Sequence, residues 1–179
     1  MIKLKPAQLR TMAGNPELRK DLSKNSIYII IDNVLDTYNI GAIFRLADAV
    51  ACKKVLLTGV TERPPHTRIK KASINTTEWV DWIYFEKTLD AIAWLRKNVQ
   101  GIKIIAIEQD PRSVPYSAFD YHLPIALIVS NETTGATKEV LATADVIVEL
   151  PMYGVNMSLN VMVSLGIVIY KVIEKLPLL

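Results

Sequence analysis

The chain has 179 residues, half of them hydrophobic, which is enough for one compact domain around a single core and too little for two. A formal charge of +3 is too small to mark the whole chain as a nucleic-acid binder, and a single cysteine, Cys52, excludes an internal disulfide. With only His66 and His122 beside it there is no clustered metal-ligand spacing, so no metal site is expected.

Residues 1–24 are the least core-like and carry Lys3, Lys5, Arg10, Arg19, Lys20 and Lys24, a basic arm ahead of one domain over 25–179. The opening Met1-Ile-Lys-Leu-Lys-Pro lacks the build of a signal peptide, and no apolar stretch is long enough to cross a bilayer. A cytoplasmic protein is expected, so the glycosylation patterns at Asn75, Asn131 and Asn156 are chance matches. Residues 27–31 form a β-rich apolar run without alternation, as in a strand covered on both faces, and Asp32-Asn33 end it. Asn39 is placed to cap a helix in which Ile43, Phe44, Leu46, Ala47 and Val50 recur near helical spacing, with Lys53-Lys54 at its C-terminal side. Cys52 falls where that helix gives way to a second buried strand over 55–59.

After Pro64-Pro65, a basic loop crowds Arg63, His66, Arg68, Lys70 and Lys71 together. With the N-terminal arm it could follow a phosphate backbone if the fold brings both to one face; the alternative is a solvated surface. Residues 79–85 read as a strand at a sheet margin, since Trp79, Asp81, Trp82 and Tyr84 mix polar and aromatic character. A helix over 86–98 would put Leu89, Ile92, Ala93 and Leu95 on one face. Strands follow at 103–108, 125–129 and 146–150, with a short helix after Gly135 and a long one from about Ser158.

Solid apolar strands alternating with helices predict an α/β fold, a mostly parallel sheet flanked by helices, whose ligands bind beyond the carboxyl ends of the strands. The last helix is apolar almost all round from Leu159 to Ile173, so a face left over by the sheet would meet a second subunit, with Val168 in the contact. The alternative is a central helix buried within one chain. No glycine-rich dinucleotide loop, phosphate loop or Gly-x-Ser-x-Gly elbow is present, and the two scattered histidines give a Ser-His-Asp arrangement little support.

Three segments lie at strand ends: Asn39 to Arg45, Ser130 to Gly135, and Pro151 to Asn160. Arg45 sits on an otherwise apolar helix and needs a carboxylate or phosphate; an ion pair with Asp48 or Asp32 is the simple reading. Glu132 reads equally as a carboxylate at a helix start, and Ser158 as an N-cap.

In order, spacing and residue type, these segments together resemble the SpoU (TrmH-like) RNA 2′-O-methyltransferases of the SPOUT superfamily, over about residues 27–175. Asn39, Gly41 and Arg45 match the first motif, Asn131, Glu132 and Gly135 the second, and Pro151, Met152, Gly154, Ser158, Leu159 and Asn160 the third. The resemblance implies a deep C-terminal trefoil knot, a homodimer joined through the C-terminal helix, S-adenosylmethionine as cofactor with S-adenosylhomocysteine as product, and a ribose 2′-hydroxyl of structured RNA, tRNA or rRNA, as acceptor. It implies Arg45 as the catalytic residue acting on the hydroxyl, with Asn39, Glu132, Ser158 and Asn160 positioning the reactants. Donor contacts fall to Ile107, Ser130, Asn131, Gly135, Leu150, Met152, Ser158 and Leu159, with Glu108 beside Ile107.

The sequence departs from the family pattern at Ser130 and Thr133, where glycine is usual, and at Met162, where a small residue is usual. The competing reading is a catalytically inactive knotted protein that binds RNA or donor; a second is methylation of a base. Retention of Arg45, Glu132, Ser158 and Asn160 together favours the enzyme.

Overall fold

The unbroken apolar run at 27–31 lies in the middle of a parallel sheet. In the computed structural model, which describes residues 3–11, 23–174 and 176, it belongs to β1 (Asn25–Asp32), flanked by β2 (Cys52–Thr58) and β6 (Ile125–Ser130). With β3 (Trp82–Phe85), β4 (Lys103–Ile107), β5 (Val114–Pro115) and β7 (Val146–Glu149), the order across the sheet is β3-β2-β1-β6-β4-β7-β5, and every pairing is parallel. Side chains of β1 alternate between two cores. Ile27, Ile29 and Ile31 pack with α2 (Thr37–Ala49) and the last helix, α6 (Val161–Ile173); Tyr28 and Ile30 pack with α4 (Thr88–Asn98) and α5 (Lys138–Thr143). The isoleucines at 27, 29, 30 and 31 are wholly buried, each contributing on the order of 1.5–3 kcal/mol, which explains a strand with no polar alternation.

Two further helices, α1 (Pro6–Thr11) and α3 (Thr67–Ser73), and a short 3-10 turn over Thr76–Glu78 complete the described elements. Of the N-terminal basic residues, Arg19 and Lys20 lie outside the described residues. Among the described residues no helix is long and apolar enough to cross a membrane.

The structure corrects several local expectations. Asp36, not Asn39, caps α2 by accepting from Tyr38 N at 2.8 Å; Asn39 lies within the first turn, its side chain held elsewhere. Lys53 and Lys54 belong to β2, because the left-handed residue Ala51 (φ 49°) turns the chain directly from helix into strand. The basic stretch is not all loop, since Thr67–Ser73 form α3. The buried face of α4 is Thr88, Ala91, Ile92 and Leu95, one position round from the expected set, which leaves Leu89 and Ala93 exposed. Trp79 is buried ahead of the margin strand, which starts only at Trp82.

Asn160, not Ser158, caps α6, accepting from Met162 N at 2.9 Å and Val163 N at 3.4 Å. That helix is not buried all round. Val161, Leu165, Val168, Ile169 and Val172 face the chain's own core, whereas Val163 and Tyr170 stay 39% and 53% exposed. Val168 is therefore a core residue, not a surface contact. The short β5 was not anticipated; two residues carry no hydrophobic pattern.

Candidate active site

Strands β4, β6 and β7 end at an open cavity of about 610 Å³, walled on its other sides by residues 131–136, 149–150, 152 and 156–161. Every expected donor-contact residue lines it: Ile107, Ser130, Asn131, Gly135, Leu150, Met152, Ser158 and Leu159. Glu132 and Asn160 line it as well. The loop after β6 is closed by its own side chains. Asn131 Oδ1 accepts from Thr133 N at 2.9 Å and Thr134 N at 3.0 Å, while its amide donates to Asn33 O at 2.9 Å. Gly135 has φ +64°, and a Cβ there would come within 2.6 Å of Glu108 Oε2. Glu108 needs that space: its Oε2 accepts from Ala136 N and its Oε1 from Gln109 N, both at 3.0 Å.

Sequence reasoning missed Gln109 and Glu149. Gln109 Nε2 donates to Met157 O at 2.6 Å, tying the segment after β7 to the end of β4. A lone glutamine in a loop carries no signal of this; only the strand order brings it beside residue 157. Among the described residues the charged members of the lining are Glu108, Glu132 and Glu149, with no lysine or arginine, so the cavity favours a ligand carrying positive charge.

Beside the cavity, a polar chain joins all three segments. Glu132 accepts from Leu35 N at 3.1 Å, Asp36 N at 3.2 Å and Asn39 Nδ2 at 3.0 Å. Asn39 Oδ1 accepts from Asn160 Nδ2 at 2.9 Å. Partial burial pushes the Glu132 carboxyl up, but hydrogen bonds from the Asn39 side chain and from the backbone outweigh it and hold Glu132 below its ordinary value, so it is ionised at neutral pH. Asn39 is buried with both ends of its amide engaged, which specifies an amide and no other side chain of that size.

Arg45 stands apart. It is exposed on α2, lines no part of the cavity and, among the described residues, forms no ion pair with Asp48 or Asp32. Asp32 is instead buried, accepting from Thr88 Oγ1 at 2.5 Å and Asn33 Nδ2 at 2.8 Å. Tyr38, seven residues before Arg45 and thus on the same side of α2, is 50% exposed. Ser158 is exposed at the cavity wall, its backbone N–H donating to Asn156 Oδ1 at 3.2 Å.

The model of the SpoU rRNA Methylase family matches residues 26–170. The tRNA (guanosine(18)-2′-O)-methyltransferase of Aquifex aeolicus is 35% identical over 161 residues, covering 86% of this chain and 72% of that protein. The enzyme of the same name from Escherichia coli K12 is 31% identical over 146 residues, covering 80% and 61%. Among solved structures, the AdoMet-bound rRNA methyltransferase from Sinorhizobium meliloti superposes with a TM-score of 0.78 at 26% identity, covering 94% of this chain and 60% of that one. The chain thus spans between 60% and 72% of the length of these three proteins. With the family model matched over the whole sheet and all three polar segments, the chain belongs to the SpoU rRNA methylase family.

Proposed function

We propose that this chain transfers the methyl group of S-adenosylmethionine to a ribose 2′-hydroxyl of tRNA or rRNA, releasing S-adenosylhomocysteine, and that it works as a homodimer. The observation that carries this is the cavity at the carboxyl ends of β4, β6 and β7, with the Glu132–Asn39–Asn160 chain at its side. The activities named for the relatives, 2′-O-methylation of tRNA guanosine, favour the enzyme over an inactive binding protein and over base methylation.

The cavity suits the donor. Its volume lies within the range of about 300–1,000 Å³ usual for small-molecule sites. Ile107, Val129, Leu141, Leu150 and Leu159 offer apolar surface to a flat base, and the three glutamates complement a sulfonium and an ammonium group. Ser130 and Gly135 leave the backbone open to close approach. When bound, the donor supplies a methyl group activated by the positive charge on its sulfur. The chain's own residues do the rest by positioning. Glu132 fixes Asn39, Asn39 fixes Asn160, and the amides with Ser158 orient the ribose at the cavity mouth. A guanidinium keeps its proton, so Arg45 holds the hydroxyl and an adjoining phosphate while the proton leaves to a phosphate oxygen or water.

Arg45 completes the site of the partner subunit. In support, α2 and α6 pack side by side, Leu46 Cδ1 lying 3.7 Å from where Gly166 would carry a Cβ, and each helix keeps an exposed face, Tyr38 with Arg45 and Val163 with Tyr170. We assign the C-terminal part a trefoil knot; its support is that β7 inserts between β4 and β5 while Gln109 holds the following segment at residue 157 before α6 packs on β4 and β6. The family match beginning at residue 26 supports one domain over 25–179 with residues 1–24 as an added arm. The test is incubation of purified protein with radiolabelled S-adenosylmethionine and RNA from a strain lacking its gene. Label at a ribose that blocks nuclease cleavage of the adjacent phosphodiester is expected; binding of donor and RNA without transfer would overturn the reading.

A further inference from the structure

The two basic stretches that stand out in the sequence meet in space. Arg10 of α1 and Lys70 and Lys71 of α3 line a second cavity of about 430 Å³, whose remaining walls are Ile74 and Asn75. Among the described residues no acidic side chain lines it, and none of the three cations is held in an ion pair. Like charges gathered round one cavity repel, and an anion placed between them removes that repulsion.

The cleft is built. Its floor is the turn that ends α3, where Ile74 (φ 51°) and Asn75 (φ 69°) both adopt the left-handed conformation, costly for a β-branched residue such as Ile74. From that turn Asn75 Nδ2 reaches across to donate to Leu9 O at 3.0 Å and so fixes α1 against α3. The carbonyl end of α3 would oppose an anion, but Lys70 O is taken up by Ile74 N, Asn75 N and Ser73 Oγ.

The cleft is also fixed to the catalytic helix. A Cβ on Gly41 would meet Ala72 Cβ at 2.6 Å and Ile69 O at 2.7 Å, so α3 lies backbone-close against α2, which carries Asn39 and Arg45. Gly41, a residue of the first motif, therefore sets the distance between cleft and site.

We propose that the cleft between α1 and α3 binds the phosphodiester backbone of the RNA substrate, anchoring it away from the methylated ribose. This rests on the RNA methyltransferase reading. The probe is unfractionated tRNA, titrated against the full chain by fluorescence anisotropy over a series of salt concentrations. The variant Arg10→Ala/Lys70→Ala/Lys71→Ala is compared with Lys97→Ala/Lys103→Ala, which removes charge at α4 and at the start of β4. The cleft variant should lose about tenfold or more in tRNA affinity near about 0.1 M salt, and its slope of log affinity against log salt should shrink by about 0.7–0.9 for each lost contact. KM for tRNA should rise while kcat at saturation and donor affinity stay near wild type; the control should match wild type throughout. Wild-type affinity and slope in the cleft variant, in a wild-type chain that binds and methylates tRNA, would overturn the cleft alone. A wild-type chain that binds donor but neither tRNA nor, in the same titration, rRNA would overturn the substrate class with it. Should the triple variant lose its fold by circular dichroism, Lys70→Gln/Lys71→Gln is read in the same titration with the same two outcomes.

Discussion

Asn160 donates its side-chain amide to Asn39 Oδ1 at 2.9 Å, joining residues 121 positions apart. Asn39 in turn donates to Glu132 Oε1 at 3.0 Å, so the caps and loops of three segments are braced by one amide that is donor and acceptor at once. Asn160 has a second duty, since its Oδ1 caps α6. A change at one of these residues is therefore felt at the start of two helices and at the mouth of the cavity.

Replacing Asn39 by alanine should cost about 1–3 kcal/mol of stability, because Glu132 and Asn160 each lose a partner in a partly buried setting. Transfer should fall by about 100-fold through lost positioning, with donor affinity little changed. Asn39→Asp should be worse at neutral pH, since it sets a second carboxylate beside ionised Glu132 and removes the donor. Urea unfolding and single-turnover assays check both; wild-type turnover in Asn39→Ala would remove the chain from the mechanism.

Glu132→Gln puts an amide N–H where backbone N–H groups now donate. At pH 7 it should lower stability by about 1 kcal/mol, a small figure because the residue is exposed and its charge is screened. The folded-state value of Glu132 lies below the ordinary 4.5. The ionised side chain thus stabilises the fold at pH above that value, and the contribution disappears as pH falls through the lower folded-state value. The difference between wild type and variant should shrink as unfolding is measured from pH 7 down to about pH 3; a gap that widens in acid would contradict the assignment.

Much of this was legible in the sequence because strands buried on both faces must be apolar at every position. Polar residues that interrupt such runs, as Ser130 and Asn131 do, then mark the ends where a ligand can reach the backbone. Cap identity was less legible: Asp36 and Asn39 are both good caps by type, and only residues 93 and 121 positions away recruit Asn39 for another purpose. Ser158 and Asn160 pose the same ambiguity. The faces of α4 and α6 were off by one position or overfilled, since small and apolar residues on neighbouring positions leave the angle of the buried stripe undetermined. The separation of Arg45 from the cavity depends on how α2 packs, which no local pattern encodes.

Gly135→Ala should weaken donor binding. The left-handed backbone costs any L side chain about 1–2 kcal/mol, and the new methyl group would push Glu108 off Ala136 N. Donor dissociation constants from calorimetry should rise about tenfold or more. Adding Glu108→Ala relieves the clash but leaves the backbone strain and removes a carboxylate that faces the donor, so it should not restore the affinity; full restoration would show that neither the strain at Gly135 nor the Glu108 charge matters for the donor.

The exposed side of α6 predicts two outcomes that differ in kind. Val163→Glu/Tyr170→Glu places charge on residues that are 39% and 53% exposed, so the chain should stay folded but scatter light as a monomer, with activity lost. Val168→Glu buries a carboxylate in the core and should unfold the chain, costing more than about 3 kcal/mol. A folded, fully active monomer from the double variant would sink the interface on α6.

Arg45→Ala should reduce transfer by at least about 100-fold while leaving donor affinity within about twofold, because the guanidinium lies outside the donor cavity. If Arg45 serves the partner's site, two silent chains can repair one another. Mixing Arg45→Ala with Asn160→Ala and allowing exchange gives heterodimers in which one site draws an intact cavity from the first chain and an intact arginine from the second. Random exchange makes about half of all dimers mixed, each with one complete site, so about a quarter of wild-type activity should return. An arginine acting on its own chain's cavity would return none, because each of the two sites in the mixed dimer would then keep one defect.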